Sequence, residues 1–173
     1  LKLKPDTIAD GFDGTTILFA DIVGFTPISA KMTPENTVML LNDIFSDFDD
    51  LVDKYMLEKI KTIGDAYMVV AGLPKPRADH ADAIAEMALD MMQVIERFDV
   101  KIGNPLKIRI GINSGPAVAG VIGKKKFIYD LWGDTVNTAS RMESHGLPGE
   151  IQTSPATYEL LKDKYLFEER GTI

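Results

Sequence analysis

Two aspartates lie at the ends of predicted strands, where they could hold a metal ion together. Asp21 comes directly after the apolar run of residues 15–20, and Asp65 lies with Gly64 in the predicted turn of a hairpin. Each aspartate by itself is also ordinary capping or turn chemistry. If the strand and the hairpin are neighbours in one sheet, both carboxylates project from the same end. Without a nearby Lys or His they would repel each other unless a divalent cation lies between them. Hard oxygen ligands of this kind select Mg²⁺ or Mn²⁺ and suit two-metal phosphoryl transfer.

A polar pair occurs on the predicted helix that follows Asp134. Asn137 and Arg141 are spaced i and i+4, which places them on one helix face. A solvated polar face would show the same spacing. Val136 and Ala139 indicate that another side of this helix is packed, and Asn is a poor helix former unless its amide is used. In such a pair the Asn can hold a ribose and the Arg a phosphoryl group in the transition state. Asp134 itself is predicted to be only the N-cap of the helix.

These residues must be positioned by alternating strands and helices. The apolar runs and turn signals predict an α+β sandwich with the order β-α-ββ-α-ββ. The predicted elements are a strand at 15–20, a helix opening at Thr33 and Pro34, a hairpin of strands 58–63 and 66–71, a helix at 80–98, a second hairpin of strands 105–113 and 117–122, a strand at 127–131, a helix after 134, a strand near 151 and a helix at 155–162.

Size and charge limit the possible classes of protein. The chain has 173 residues, which fits one domain over 14–173, and residues 1–13 are predicted to be a linker from an upstream region. The chain contains no Cys, which excludes disulfides and thiolate metal sites and agrees with a reducing cytoplasm. The formal net charge of −7 argues against nucleic acid as a partner, because phosphate backbones require a basic face. A small anionic substrate is compatible if metal ions invert the local field.

Several blocks of the sequence resemble the class III nucleotidyl cyclases, the catalytic domains of adenylyl and guanylyl cyclases. The blocks are FADIVGFT (19–26), KIKTIGDAYMVVAGLP (59–74), RADHA (77–81), IRIGINSGPAVAGVIG (108–123) and WGDTVNTASRME (132–143). Their order and spacing match over about residues 14–171. The resemblance implies a ferredoxin-like α+β sandwich, with an antiparallel-rich sheet covered by helices. It also implies conversion of ATP to cyclic AMP and pyrophosphate.

The resemblance assigns roles to individual residues. Asp21, Asp65 and the backbone carbonyl of Ile22 would bind two Mg²⁺ or Mn²⁺ ions in each active site. Asn137 would position the ribose, and Arg141 would stabilise charge on the α-phosphate. Arg109 aligns with an arginine that contacts the triphosphate. His80 and His145 are predicted to be surface residues, so neither is a candidate general base.

Base selection is assigned by the resemblance to Lys61 and Asp130. Adenylyl cyclases typically have Lys and Asp or Thr at these positions, whereas guanylyl cyclases typically have Glu and Cys. Lys donates to N1 of adenine and the carboxylate accepts from the 6-amino group, while guanine presents the reverse pattern. ATP is therefore the favoured substrate. A guanylyl cyclase and a catalytically silent domain that binds nucleotide or dimerises are the alternatives.

The resemblance also implies a partner and a parent protein. In this family the metal ligands come from one chain, while Lys61, Asp130, Asn137 and Arg141 come from the other. Because this chain carries both sets, a head-to-tail homodimer with two equivalent sites is expected. The family usually has a triphosphate-binding lysine shortly after an RG of a terminal strand. The sequence stops at Arg170-Gly171-Thr172-Ile173, so truncation of the last strands is expected. The start at Leu1 without a Met suggests a domain cut from a longer protein with an upstream sensor or regulatory region. The domain itself is expected to be cytoplasmic, and a membrane anchor of the parent is left open.

Overall fold

The computed structural model describes residues 9–103, 106–123, 125 and 128–173. Within these ranges the strands are β1 Ala9–Val23, β2 Glu58–Ile63, β3 Ala66–Ala71, β4 Lys107–Ile122, β5 Ile128–Trp132 and β6 Ile151–Thr153. The helices are α1 Phe25–Ser29, α2 Pro34–Lys54, α3 His80–Ile102, α4 Asp134–Ser144 and α5 Pro155–Leu161.

The described strands form one sheet in the order β2-β3-β1-β4-β5, with β6 also paired to β4. All neighbours are antiparallel except β6, which runs parallel to β4. The long strands β1 and β4 therefore form the centre of the sheet, with the β2–β3 hairpin next to β1 and the strands β5 and β6 next to β4. An antiparallel-rich sheet combined with helices confirms the predicted α+β class.

The two faces of the sheet bury different apolar clusters. Because strand side chains alternate, Leu18 and Ala20 of β1 face helices α2 and α3, and Ile17 faces the other way. On that other face Ile17 packs with side chains of β3, β4, β5 and α4, namely Met68, Val70, Ala117, Ala119, Leu131 and Ala139. This second apolar cluster therefore connects β5 and the C-terminal part of β4 to β1 and β3 in the middle of the sheet.

Helix α2 begins as the sequence predicts. The Thr33 side chain caps it by accepting a hydrogen bond from the Asn36 amide at 3.2 Å, and Pro34 takes the first helical position. The helix buries its apolar stripe at Ile44, Phe48 and Val52. Helix α4 differs from its prediction, because its N-cap is Gly133 and Asp134 is already the first helical residue.

The predicted hairpin of 105–113 and 117–122 is wrong, because residues 107–122 form the single strand β4. Strand β4 pairs with β1 on both sides of the expected turn, from Ala9↔Gly120 to Val23↔Lys107. Gly115, at the expected turn, has a φ of 156°, which a glycine adopts without strain, and its carbonyl accepts a hydrogen bond from Thr15 Oγ1 at 2.7 Å. Long-range pairing therefore overrides the local turn signal.

Strand β1 also begins earlier than expected. Residues 9–13, which the sequence assigned to a linker, pair with β4 up to Phe12, and Phe12 packs against the second apolar cluster. The β1–β4 register shifts between Phe12 and Thr15, which marks a bulge and curves the ladder. Residues 1–8 of the predicted linker lie outside the described part of the chain.

The remaining elements agree with the predictions to within a few residues, apart from the short helix α1, which was not anticipated. The predicted turn at 124–126 lies mostly outside the described residues. In the described part of the chain, no helix combines the length and apolar character required to span a membrane.

Candidate active site

The structure brings Asp21 and Asp65 together at one end of the sheet. Asp21 lies in β1 opposite Ala66 of β3, directly after the turn that contains Asp65. The Ile22 amide donates to the backbone carbonyl of Asp65 at 3.4 Å, which ties this turn to β1. The two carboxyl groups are close enough for a hydrogen bond between them. Two residues forty-four positions apart therefore converge, as their places at strand ends predicted.

The surroundings of Asp21 disfavour its negative charge. Burial, followed by the negative charges of Asp65 and Glu143, raises the pKa of the Asp21 carboxyl from 3.8 to about 6. The guanidinium of Arg109 opposes it, with Nη2 at 3.1 Å from Asp21 Oδ2. The repulsion expected between the two carboxylates is thus present, and a cationic side chain relieves only part of it.

These groups fit divalent cations. Carboxylate and carbonyl oxygens are the ligands that Mg²⁺ and Mn²⁺ prefer, and Mg²⁺ is commonly held by one or two carboxylates together with substrate phosphates. Among the described residues no cluster of three or more His, Cys, Asp and Glu could hold a metal by itself. Asp21, Asp65 and the carbonyl of Ile22 are the candidate protein ligands, and phosphate oxygens of a substrate would complete such a site.

Arg109 is held between two carboxylates. Its Nε donates to Glu143 Oε1 at 2.9 Å, while Nη2 contacts Asp21. Glu143 was missed in the sequence, although its position is unusual. It lies in the last turn of α4, where a negative charge opposes the helix dipole and therefore calls for a cationic partner. Gly111 permits this approach, since a Cβ there would lie 1.9 Å from the Glu143 amide nitrogen.

Lys61 and Asp130 meet although they belong to the two edge strands β2 and β5. The distance between Lys61 Nζ and Asp130 Oδ2 is 2.7 Å, and the side chains are 35% and 19% exposed. The other carboxylate oxygen of Asp130 accepts from the Leu131 amide at 2.8 Å, which fixes the side-chain orientation. Ile60 of β2 and Tyr129 of β5 both pack against the second apolar cluster, which brings the two edge strands together. The structure therefore places the two residues proposed to select the base in contact with each other.

Asn137 and Arg141 lie on the exposed side of α4, whereas Thr135 and Ala139 are buried beneath them. The prediction of a helix packed on one side with this polar pair on another is confirmed.

Of the two histidines, His145 is exposed as expected. His80 is not a surface residue, because it is half-buried and its Nδ1 lies 2.7 Å from Thr16 Oγ1. Its imidazole is therefore part of the interior packing at the start of α3.

Comparison with known proteins agrees with this fold. The family described as the adenylate and guanylate cyclase catalytic domain matches residues 8–173. An adenylate cyclase of Mycobacterium tuberculosis is 51% identical over 166 residues, which cover 96% of this chain and 38% of that protein. The receptor-type guanylate cyclase gcy-28 of Caenorhabditis elegans is 48% identical over 169 residues, which cover 95% of this chain and 13% of that protein. The crystal structure of the adenylyl cyclase CyaB from P. aeruginosa superposes with a TM-score of 0.89 at 32% identity, covering 96% of this chain and 88% of that one.

The chain belongs to the family of adenylate and guanylate cyclase catalytic domains. It is thus the catalytic domain of a nucleotide cyclase, a lyase. Relatives of both substrate types lie at similar identity, so the comparisons leave the choice between ATP and GTP open. The chain spans well under half the length of these two relatives.

Proposed function

We propose that this domain converts ATP to 3′,5′-cyclic AMP and pyrophosphate at a site shared by two copies of the chain. The observation that supports ATP is the contact between Lys61 and Asp130, which places a donor and an acceptor side by side. Adenine presents N1 as an acceptor and its 6-amino group as a donor, so the pair matches that edge. Because an ammonium group has three donors and each carboxylate oxygen two lone pairs, the two side chains can bind the base without separating.

Guanine would leave this pair mismatched. Its O6 is an acceptor and its N1–H is a donor, so Asp130 would face a carbonyl oxygen. A fully buried polar site rejects a mismatched analogue by about 10⁴-fold or more. Lys61 and Asp130 are 35% and 19% exposed, so water can reach them. We therefore expect a preference for ATP on the order of 10²-fold, corresponding to about 3 kcal/mol.

The direction of α4 supports a site shared between subunits. Successive residues of an α-helix are rotated by about 100°, so Arg141 and Glu143 point in directions about 160° apart. Glu143 faces Arg109 and, through it, Asp21 of its own chain. Arg141 therefore points away from the carboxylates of its own chain, and Asn137 shares its face. These two residues can complete a site only with the Asp21 and Asp65 of a second copy.

An exposed apolar face offers a contact for that second copy. Val118 is paired with Trp132, and Ile122 with Ile128, on the solvent side of the β4–β5 ladder. All four side chains are at least 38% exposed. The two apolar pairs lie on either side of the pair that contains Asp130, and exposed apolar side chains grouped in this way are typical of protein–protein interfaces. Burying them would bring a partner subunit next to Asp130, one of the residues proposed to select the base.

Each proposed site residue has its own role in the reaction. The ribose 3′-hydroxyl gives up its proton to water, its oxygen attacks the α-phosphorus to form a new P–O bond, and the bond between the α-phosphorus and the oxygen bridging to the β-phosphate breaks to release pyrophosphate. Asn137 would hold the ribose, Arg141 would stabilise charge on the α-phosphate, and Arg109 would contact the triphosphate. Asp21, Asp65 and the Ile22 carbonyl would hold two Mg²⁺ or Mn²⁺ ions. When bound, these ions supply positive charge to the phosphates and activate the ribose hydroxyl.

The test is product identification with ATP or GTP in Mg²⁺ or Mn²⁺, first for the unchanged domain and then for a double variant. Lys61→Glu with Asp130→Cys should reduce ATP turnover and admit GTP, since both contacts to the base edge are reversed. Lys59→Glu is the matched control, because it reverses a charge on the same strand at a residue that instead pairs with Asp49 at 2.8 Å. The control should keep its preference for ATP.

Two outcomes would contradict the proposal. If the unchanged domain forms cyclic GMP faster than cyclic AMP, the domain is a guanylyl cyclase, a second candidate that the similarity to gcy-28 supports. If the domain binds an unreactive ATP analogue by isothermal titration and forms neither product, it is a silent nucleotide-binding domain. Preference for ATP in the double variant would remove Lys61 and Asp130 from base selection.

A further inference from the structure

The buried polar side chains of the domain form a connected chain. Of the buried polar residues in the described part, six are linked in one series: Thr16, Ser114, Thr157, Ser154, Asn113 and Thr135. Successive contacts measure 2.8 Å, 2.9 Å, 3.4 Å, 2.5 Å and 3.0 Å. His80 joins the series at the end near α3 through its contact with Thr16. No buried side-chain polar atom lacks a partner among the described residues.

The opposite end of this polar chain is attached to α4. The Asn113 side-chain amide, in the middle of β4, donates from Nδ2 to the backbone carbonyl of Thr135 at 3.0 Å. The Ser154 hydroxyl donates to Asn113 Oδ1 at 2.5 Å and thereby fixes which end of the amide faces the helix. Asn113 is 6% exposed and Thr135 is 7% exposed, so water does not compete for these bonds.

Helix α4 has few other means of fixing its first turn. Its N-cap is Gly133, and no side chain caps the helix there. Its buried residues are Thr135 and Ala139, and Val136 packs, partly buried, against the second apolar cluster. The far end is fixed separately, by Glu143 on Arg109 and by the Gln152 side chain, which donates to the Met142 carbonyl at 3.1 Å. Apolar packing holds the first turn against the sheet without fixing its direction, and the Asn113 side chain adds a directional bond to its backbone.

We infer that Asn113 is a positioning residue for the cyclase reaction, which sets the placement of Asn137 and Arg141 by tying the first turn of α4 to β4. Thr135 precedes Asn137 by two positions and Arg141 by six, so a shift of the first turn moves both residues. The inference rests on the proposed function, because it requires that these two residues contact the nucleotide. A misplacement of about 1 Å can cost about 10²-fold in rate, and a loose supporting residue produces such an error.

The test compares Asn113→Ala with Ser114→Ala. Both changes remove one member of the same buried series, and Ser114 contacts Thr16 and Thr157 rather than α4. We expect both variants to lower the Tm. Only Asn113→Ala should also lower kcat, by about 10- to 100-fold with little change in KM. Amide hydrogen exchange at residues 134–138 should speed up in Asn113→Ala and stay unchanged in Ser114→Ala.

If Asn113→Ala does not fold, Ser154→Ala is the second variant, since it removes the hydroxyl that orients the amide. Because it also removes the side-chain cap of α5, faster hydrogen exchange at residues 134–138 must accompany its loss of kcat. A kcat within twofold of the unchanged domain in the folded variant would overturn the inference, as would an equal loss of kcat in Ser114→Ala. Asn137→Ala is the reference for the proposed function. Loss of kcat in Asn137→Ala but not in Asn113→Ala overturns the positioning role alone. Unchanged kcat in Asn137→Ala overturns both.

Discussion

Two variants that are each inactive should restore activity when they form a heterodimer. Asp65→Ala removes a carboxylate proposed to bind metal, and Arg141→Ala removes the cation proposed to face the α-phosphate. In a heterodimer, one site combines both defects. The other site takes its carboxylates from the Arg141→Ala chain and its arginine from the Asp65→Ala chain, so it is complete. Since a two-fold dimer has two equivalent sites, the purified heterodimer should show about half the activity of the unchanged dimer.

The assay is cyclic nucleotide formation by heterodimers that carry two different affinity tags and are purified on both. The matched control pairs Asp65→Ala with Asp21→Ala. These two defects lie in the same half of the site, so neither site of that heterodimer has complete carboxylates, and no activity should return. The shared site would be refuted if the Asp65→Ala and Arg141→Ala heterodimer stayed inactive, or if the control heterodimer became active. Either result would show that the opposed directions of Glu143 and Arg141 do not imply a site built from two chains.

Two further predictions concern the stability of the domain. Gly111→Ala should lower the free energy of unfolding by about 3 kcal/mol, because its Cβ would lie 1.9 Å from the Glu143 amide nitrogen, and urea denaturation measures the loss. A loss of less than about 0.5 kcal/mol, which is usual for a surface substitution, would contradict this packing. Burial lowers the pKa of His80 below 6.5 despite Asp79 and Asp82, so the unfolded state binds the proton more readily. The contribution of His80 to the free energy of unfolding should therefore fall as the pH drops below about 6.5, whereas Asp21, whose pKa is raised to about 6, contributes in the opposite direction. The free energy of unfolding of the unchanged domain, relative to that of His80→Gln, should decrease over this range; a constant difference would exclude this cause.

Local signals were sufficient for much of the fold. Strands β2 and β3 lie at 58–63 and 66–71 as predicted, because the tight Gly64-Asp65 turn between two adjacent strand segments fixes a hairpin without distant partners. Helix α2 starts where Thr33 and Pro34 predict, since a cap acts within one helical turn. The same reasoning failed at Gly115, where pairing with the distant β1 decides the conformation.

Parts of the site were hidden from the sequence for the same reason. Glu143 has an identifiable signal, an acidic residue at the C-terminal end of a helix, but its partner Arg109 is thirty-four positions away. Asn113 shows no local signal, because a polar residue in an apolar run gains its meaning only from Thr135 and Ser154. His80 looked like a surface residue until Thr16 was placed beside it.

The sequence by itself determined the chemical groups of this protein and the local elements that carry them. Carboxylates at strand ends, a polar pair at helical spacing and the family blocks all follow from neighbouring residues. Only the tertiary structure decided that Lys61 and Asp130, 69 positions apart on opposite edge strands, come into contact. The physical reason is that β2 and β5 meet through the second apolar cluster, against which Ile60 and Tyr129 pack and which is formed by residues far apart in the chain.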